Sequence, residues 1–82
     1  MMSCEQHDYL EIACLYHYEV RLTLTTGEYI TGVALDTCRD ENKVECLKLN
    51  TGQQVRLLPL PDLVSMTATG PNPHFARVDL TN

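Results

Sequence analysis

From Val20 to Asp36 the chain reads as a strand, a turn and a second strand that must bend, and this segment limits the fold more than any other. Val20, Leu22 and Leu24 alternate with Arg21, Thr23 and Thr25. The apolar set therefore lines one pleat face and the polar set, with Glu19, the other, as a half-buried antiparallel strand requires. Thr26-Gly27 supplies a tight hairpin, because glycine reaches the left-handed backbone such turns need. Gly32 falls mid-strand, where a missing side chain signals a sharp bend or the close approach of another backbone. The pattern predicts a small, strongly bent barrel.

Asp8 followed by Glu11 has the spacing of a capping-box variant and predicts a short helix from about Asp8 to Tyr16, after an N-terminal segment 1–7. At roughly 100° per residue, Tyr9, Leu10, Ile12, Ala13, Cys14, Tyr16 and His17 share the side expected to pack on the sheet. Asp8, Glu11 and Leu15 share the opposite side. Strands are expected over 18–25, 28–37, 43–50, 54–58 and 63–68, with a polar loop at 39–42 and a second turn at Thr51-Gly52. Pro59-Leu60-Pro61 interrupts the ladder, since proline donates no hydrogen bond. Beyond Gly70-Pro71-Asn72-Pro73, the 70–82 region is expected to hold a short edge strand or a docked tail. One helix followed by a five- or six-stranded bent antiparallel sheet makes a mostly β, α+β fold in a single domain. The expected architecture is an open barrel of the Sm-like or OB type, and the leading helix favours the Sm-like order.

Hydrophobic residues make up 44% of the 82 residues, with no Trp and one Phe, so aliphatic side chains must fill the core. No apolar stretch approaches the roughly 20 residues that span a bilayer, and Met1-Met2-Ser3-Cys4-Glu5 has no basic segment leading into an apolar one. A cytoplasmic location is expected, with no membrane contact and the four cysteines as free thiols. The net charge of −5 is unevenly spread. Glu5, Asp8, Glu11 and Glu19 precede Arg21 with no Lys or Arg among them, whereas the rest of the chain nearly balances. Such a segment repels phosphate backbones and suits a basic surface, so no direct nucleic-acid partner is expected.

Cys4-x2-His7 and Cys14-x2-His17 have spacing a zinc site uses, but the gap between the pairs is short and Cys14 belongs to the inward side. No metal and no cofactor are expected. There is no Gly-x-Ser-x-Gly and no glycine-rich phosphate loop, and Asp8 and Glu11 on an open helix face lack the cleft an acid and base pair needs, so catalysis is not expected. Asp8, Glu11 and Leu15, extended by Glu5 and His7, instead place an apolar anchor inside a charged stripe, the pattern of a partner-binding surface. Asn42 and Lys43, in the polar loop, are a secondary contact candidate. Tyr16, Tyr18 and Tyr29 are expected to pack with wet hydroxyls, since no basic groove accompanies them.

The run Asp8-Tyr9-Leu10-Glu11-Ile12-Ala13-Cys14, then His17, Leu22-Thr23-Leu24, Gly27-Glu28, Ala34 and Asp36, resembles Rof, the bacterial Rho-binding antiterminator family. The likeness spans the helix and first hairpin and, more loosely, Glu45 to Met66. It implies an Sm-like fold and a small cytoplasmic inhibitor of Rho-dependent transcription termination. Such an inhibitor covers the primary RNA-binding site on the N-terminal domain of Rho, and is a monomer when free. Acidic family positions match Glu5, Asp8 and Glu11. The hairpin also looks like the first motif of Sm RNA-binding proteins, the alternative reading. That family reads RNA with Asp-x-x-Met-Asn and Arg-Gly, whereas this chain has Asp36-Thr37-Cys38-Arg39-Asp40 and Arg56-Leu57. A zinc-dependent interaction module is the remaining, weaker alternative.

Overall fold

The computed structural model describes residues 2–81. Helix α1 (Cys4–Leu15) leads into strands β1 (Glu19–Leu24), β2 (Tyr29–Arg39), β3 (Glu45–Asn50) and β4 (Val55–Pro59). A single 3-10 turn (Leu60–Asp62) carries the chain to β5 (Leu63–Ala68) and β6 (Arg77–Asp79). One antiparallel sheet in the order β4-β3-β2-β1-β5-β6 results, with β4 and β6 as its edges, and this is the Sm-like open barrel the sequence predicts.

Alternation in β1 appears as buried Val20, Leu22 and Leu24 between exposed or half-buried polar neighbours. Its hairpin to β2 closes with a bond from the Gly27 amide to the Leu24 carbonyl at 2.8 Å, with Gly27 at φ 91°. The loop thus has three residues, Thr25 to Gly27, of the kind that ends on a left-handed residue.

Strand β2 is long because it serves two partners. Tyr29 to Val33 pair with β1, and Val33 to Arg39 pair with β3. The handover lies at Val33, and at the preceding Gly32 a Cβ would stand 2.5 Å from the Asn50 carbonyl oxygen, so the missing side chain admits a crossing backbone. Between Ala34 and Asp36 the register with β3 slips, leaving Leu35 as the extra residue of a bulge. Bulges sharpen twist and re-aim side chains, and here Leu35 turns toward α1.

The helix departs from the sequence expectation at its start. Its cap is Ser3, whose hydroxyl accepts from the Gln6 amide at 3.2 Å, while Gln6 Oε1 accepts from the Ser3 amide at 2.7 Å. Asp8 and Glu11 lie inside the helix, and Glu5 and His7 belong to it rather than to a preceding segment. Gln6 prevails because it also reaches across the molecule, donating through Nε2 to the Asp79 and Thr81 carbonyls at 2.9 and 2.8 Å. That fastens the helix start to the end of β6. Of the expected inward side, Leu10, Ala13 and Cys14 are buried and Tyr9 and Ile12 partly so. Tyr16 and His17 are exposed, because the helix ends at Leu15 and His17 takes a left-handed φ of 51° to turn the chain into β1.

The core is aliphatic, as the composition requires: Leu10, Val20, Leu22, Leu47, Leu49, Leu63 and Met66 are fully enclosed. No helix of the described residues is long and apolar enough to cross a membrane.

Candidate functional site

Helix α1 carries no Lys or Arg, and its outward ridge presents Asp8, Glu11 and Leu15, with Glu5 on the flank toward the C-terminal loop. Leu15 is 73% exposed, which for a leucine leaves most of an apolar side chain unsatisfied in water. A shallow depression beside it is walled by Glu11, Cys14, His17, Leu35, Asp36 and Thr37. The bulge at Leu35 therefore gives Leu15 an apolar companion, and Asp36 adds a carboxylate that spacing along the helix does not reveal. On the other flank a groove of about 400 Å³ runs between the helix and the loop after β5, lined by Glu5, Asp8, Tyr9, Ile12, Pro73 and His74. Glu5 and Asp8 are in no ion pair among the described residues.

His7 differs from the rest of the stripe. It is half-buried, with Nε2 2.9 Å from a Glu45 carboxylate oxygen and Nδ1 3.4 Å from Glu11. Both ring nitrogens face carboxylates of the same molecule, so His7 ties the helix to the start of β3 and steadies Glu11 rather than pointing at solvent. Glu45, separated from His7 by 38 residues, has no local sequence signal as its partner. Glu11 remains 60% exposed despite the contact.

Asn42 and Lys43 sit in the exposed hairpin loop between β2 and β3. Asp40 organises that loop: its carboxylate accepts from the Asn42 and Val44 amides at 2.8 and 3.0 Å, and Lys43 adopts a left-handed φ of 64°. Because Glu45 follows two residues later and meets His7, the loop lies toward the N-terminal half of α1.

Cys38 and Cys46 face one another as register partners across β2 and β3, whereas Cys4 and Cys14 lie on α1. Among the described residues there is no group of three or more His, Cys, Asp or Glu placed to hold a metal ion. Burial, with smaller contributions from Asp36 and Glu11, pushes the Cys14 thiol up to about 11, and burial likewise raises Cys46. A folded-state pKa above the ordinary value keeps the proton on the thiol, so stability is whole below pH 9 and declines as pH rises toward 11. At neutral pH iodoacetamide is expected to alkylate exposed Cys4 first and to leave Cys14 and Cys46 intact until the chain is denatured. Mass spectrometry of digested samples checks the order; early labelling of Cys14 would contradict the packing under the helix.

Sequence reasoning missed a cluster of rings at the C-terminal end of α1. Tyr16 stacks on Tyr18 and on His74, with ring centroids 5.5 and 5.0 Å apart. Phe75 meets Tyr9 and Tyr18 edge-on at 6.0 Å. Of the three tyrosines expected to pack, Tyr18 does so against the core, where Phe75 joins it, but Tyr16 is 54% and Tyr29 66% exposed, and His74 is exposed as well. Arg21, on the outer face of the sheet, lies over the Tyr29 ring at 5.0 Å from its centroid.

The family model described as modulator of Rho-dependent transcription termination (ROF) matches residues 1–80. Among solved structures, that of YaeO bound to magnesium from Vibrio cholerae O395 is similar, with 42% sequence identity and a TM-score of 0.88. The match covers 90% of this chain and 96% of that one. No curated protein matches the chain.

Proposed function

We propose that this chain, which belongs to the family of modulators of Rho-dependent transcription termination, inhibits termination by binding Rho and obstructing its primary RNA-binding site. The observation that carries the reading is the outward ridge of α1: exposed Asp8 and Glu11 around a 73% exposed Leu15, with Glu5 alongside and no Lys or Arg on the helix. A surface that holds RNA must offer cations to phosphates, so a patch of carboxylates is complementary to it. The carboxylates steer the encounter and Leu15, beside Leu35, supplies the desolvated centre. His7 acts as a positioning residue for Glu11, and Asn42 and Lys43 form a secondary contact at the neighbouring loop. No bond is made or broken, and the protein works as a monomer in the cytoplasm, where Rho acts on transcripts.

The test is a titration of intact Rho with labelled single-stranded RNA at increasing concentrations of this protein. The apparent RNA affinity is expected to fall in proportion to added protein, and the inhibition to weaken as salt rises from about 0.05 to 0.5 M, where exposed charges are screened. If Rho holds RNA and this protein together without mutual effect, obstruction of the RNA site is refuted. RNA bound by the protein alone would return the case to the Sm-like RNA-binding alternative.

A further inference from the structure

We infer that the rings of Tyr16 and His74, together with Asp8 and Glu5, form a receptor for an arginine side chain of the basic partner. The inference deepens the reading of α1 as a partner surface and rests on it. Tyr16 caps the helix and is 54% exposed. Its ring stacks on that of His74, within 20° of parallel and with centroids 5.0 Å apart, so each ring covers part of the other and the pair offers its uncovered faces and edges as a platform.

The platform is held in place before any partner arrives. The His74 and Phe75 amides both donate to Asn72 Oδ1, at 2.9 and 2.8 Å, which fixes the loop after β5. Phe75 then anchors it edge-on against Tyr9 and Tyr18. Little ordering remains to be done on binding, which is how a small surface gains affinity.

His74 is also a wall of the groove that contains Glu5, Asp8 and Ile12. A planar cation lying along that groove meets the His74 ring and two carboxylates, with the Ile12 side chain in the same wall. Guanidinium fits both, since it stacks on aromatic rings and donates in a planar fork to carboxylates, whereas an ammonium offers only a point charge. The protein already uses the same pairing within itself, where Arg21 lies over Tyr29. A nucleobase also stacks on such rings, but its phosphates would fall beside Glu5 and Asp8, and that repulsion favours the protein partner.

Two measurements on the full chain test this. Tyr16→Leu, which keeps an apolar side chain without the ring, is expected to weaken binding to intact Rho about ten-fold, and Tyr16→Phe to leave it within about two-fold. In a separate NMR titration of the free protein, a hexa-arginine peptide is expected to shift the Tyr16 and His74 ring resonances, and a hexa-lysine peptide of equal concentration to leave them nearly unmoved. Parental affinity in Tyr16→Leu overturns the inference while the reading of α1 stands. Equal shifts from both peptides also overturn it, as do ring shifts from a uridine oligonucleotide in place of the arginine peptide. Failure of the parent to bind Rho removes the partner reading instead, and the peptide titration still reports on the groove by itself.

Discussion

Gly32→Ala is expected to destabilise the fold by about 2–3 kcal/mol, the cost of forcing a methyl group into a site that cannot open. The added carbon would stand 2.5 Å from the Asn50 carbonyl oxygen, 2.9 Å from Leu49 Cγ and 3.0 Å from the Asn50 carbonyl carbon. Two of those atoms are backbone of β3, which is held on its far side by β4, and Leu49 is a fully buried core side chain. Relief requires moving β3 away from the point where β2 passes from one partner strand to the other. A chain of this length has about 4–12 kcal/mol of total stability, so the loss is a large share of it. Gly70→Ala is the control: nothing lies within 4 Å of the new carbon, and the change should be neutral within about 0.5 kcal/mol. Urea denaturation of both variants gives the comparison, and equal midpoints would show that β3 can yield at Asn50.

That bend was legible in the sequence because one residue type announces it. The alternation of β1 was equally plain, since Val20, Leu22 and Leu24 face a core on one side only. Other features were not legible because their determinants are distant or degenerate. Ser3-x-x-Gln6 and Asp8-x-x-Glu11 both have capping-box spacing, and local sequence gives no reason to choose. The choice is made by Gln6 Nε2 at the Asp79 and Thr81 carbonyls, more than 70 residues away. The bulge at Leu35 is likewise a property of the β2 and β3 pairing, and it alone brings Leu35 and Asp36 beside Leu15.

For the site, the helical period placed Asp8, Glu11 and Leu15 on one ridge, and that much required only the geometry of a helix. It did not show that His7 turns inward to Glu45, nor that Tyr16 lies past the last helical turn and stays outside with His74. Glycine and proline in the 70–73 stretch marked a break, but the Asn72 side chain makes it a fixed support for the rings.

Reversing both Asp8 and Glu11 to Lys is expected to weaken binding to Rho by about 2–4 kcal/mol, roughly 30- to 1,000-fold, while leaving the fold in place. Each replacement removes an attraction to a cationic surface and adds a repulsion, so the effect exceeds that of deleting the charges. Association should slow most, because rim charges act chiefly on the encounter, and the penalty should shrink as salt rises. Folding is spared because both side chains are exposed and neither fills the core. Within the protein the double change breaks the pairing of Glu11 with His7 Nδ1 at 3.4 Å, and an exposed pair of this kind contributes about 1 kcal/mol or less. Asp62→Lys, at the exposed end of the 3-10 turn before β5, changes net charge by the same amount per substitution, and Glu28→Lys added to it matches the helix pair in total charge. If that matched pair weakens binding as much as the helix pair does, the ridge has no special role. If the helix pair alone produces the loss and the thermal midpoint stays within a few degrees of the parent, the carboxylates of α1 are the part of the molecule that Rho meets.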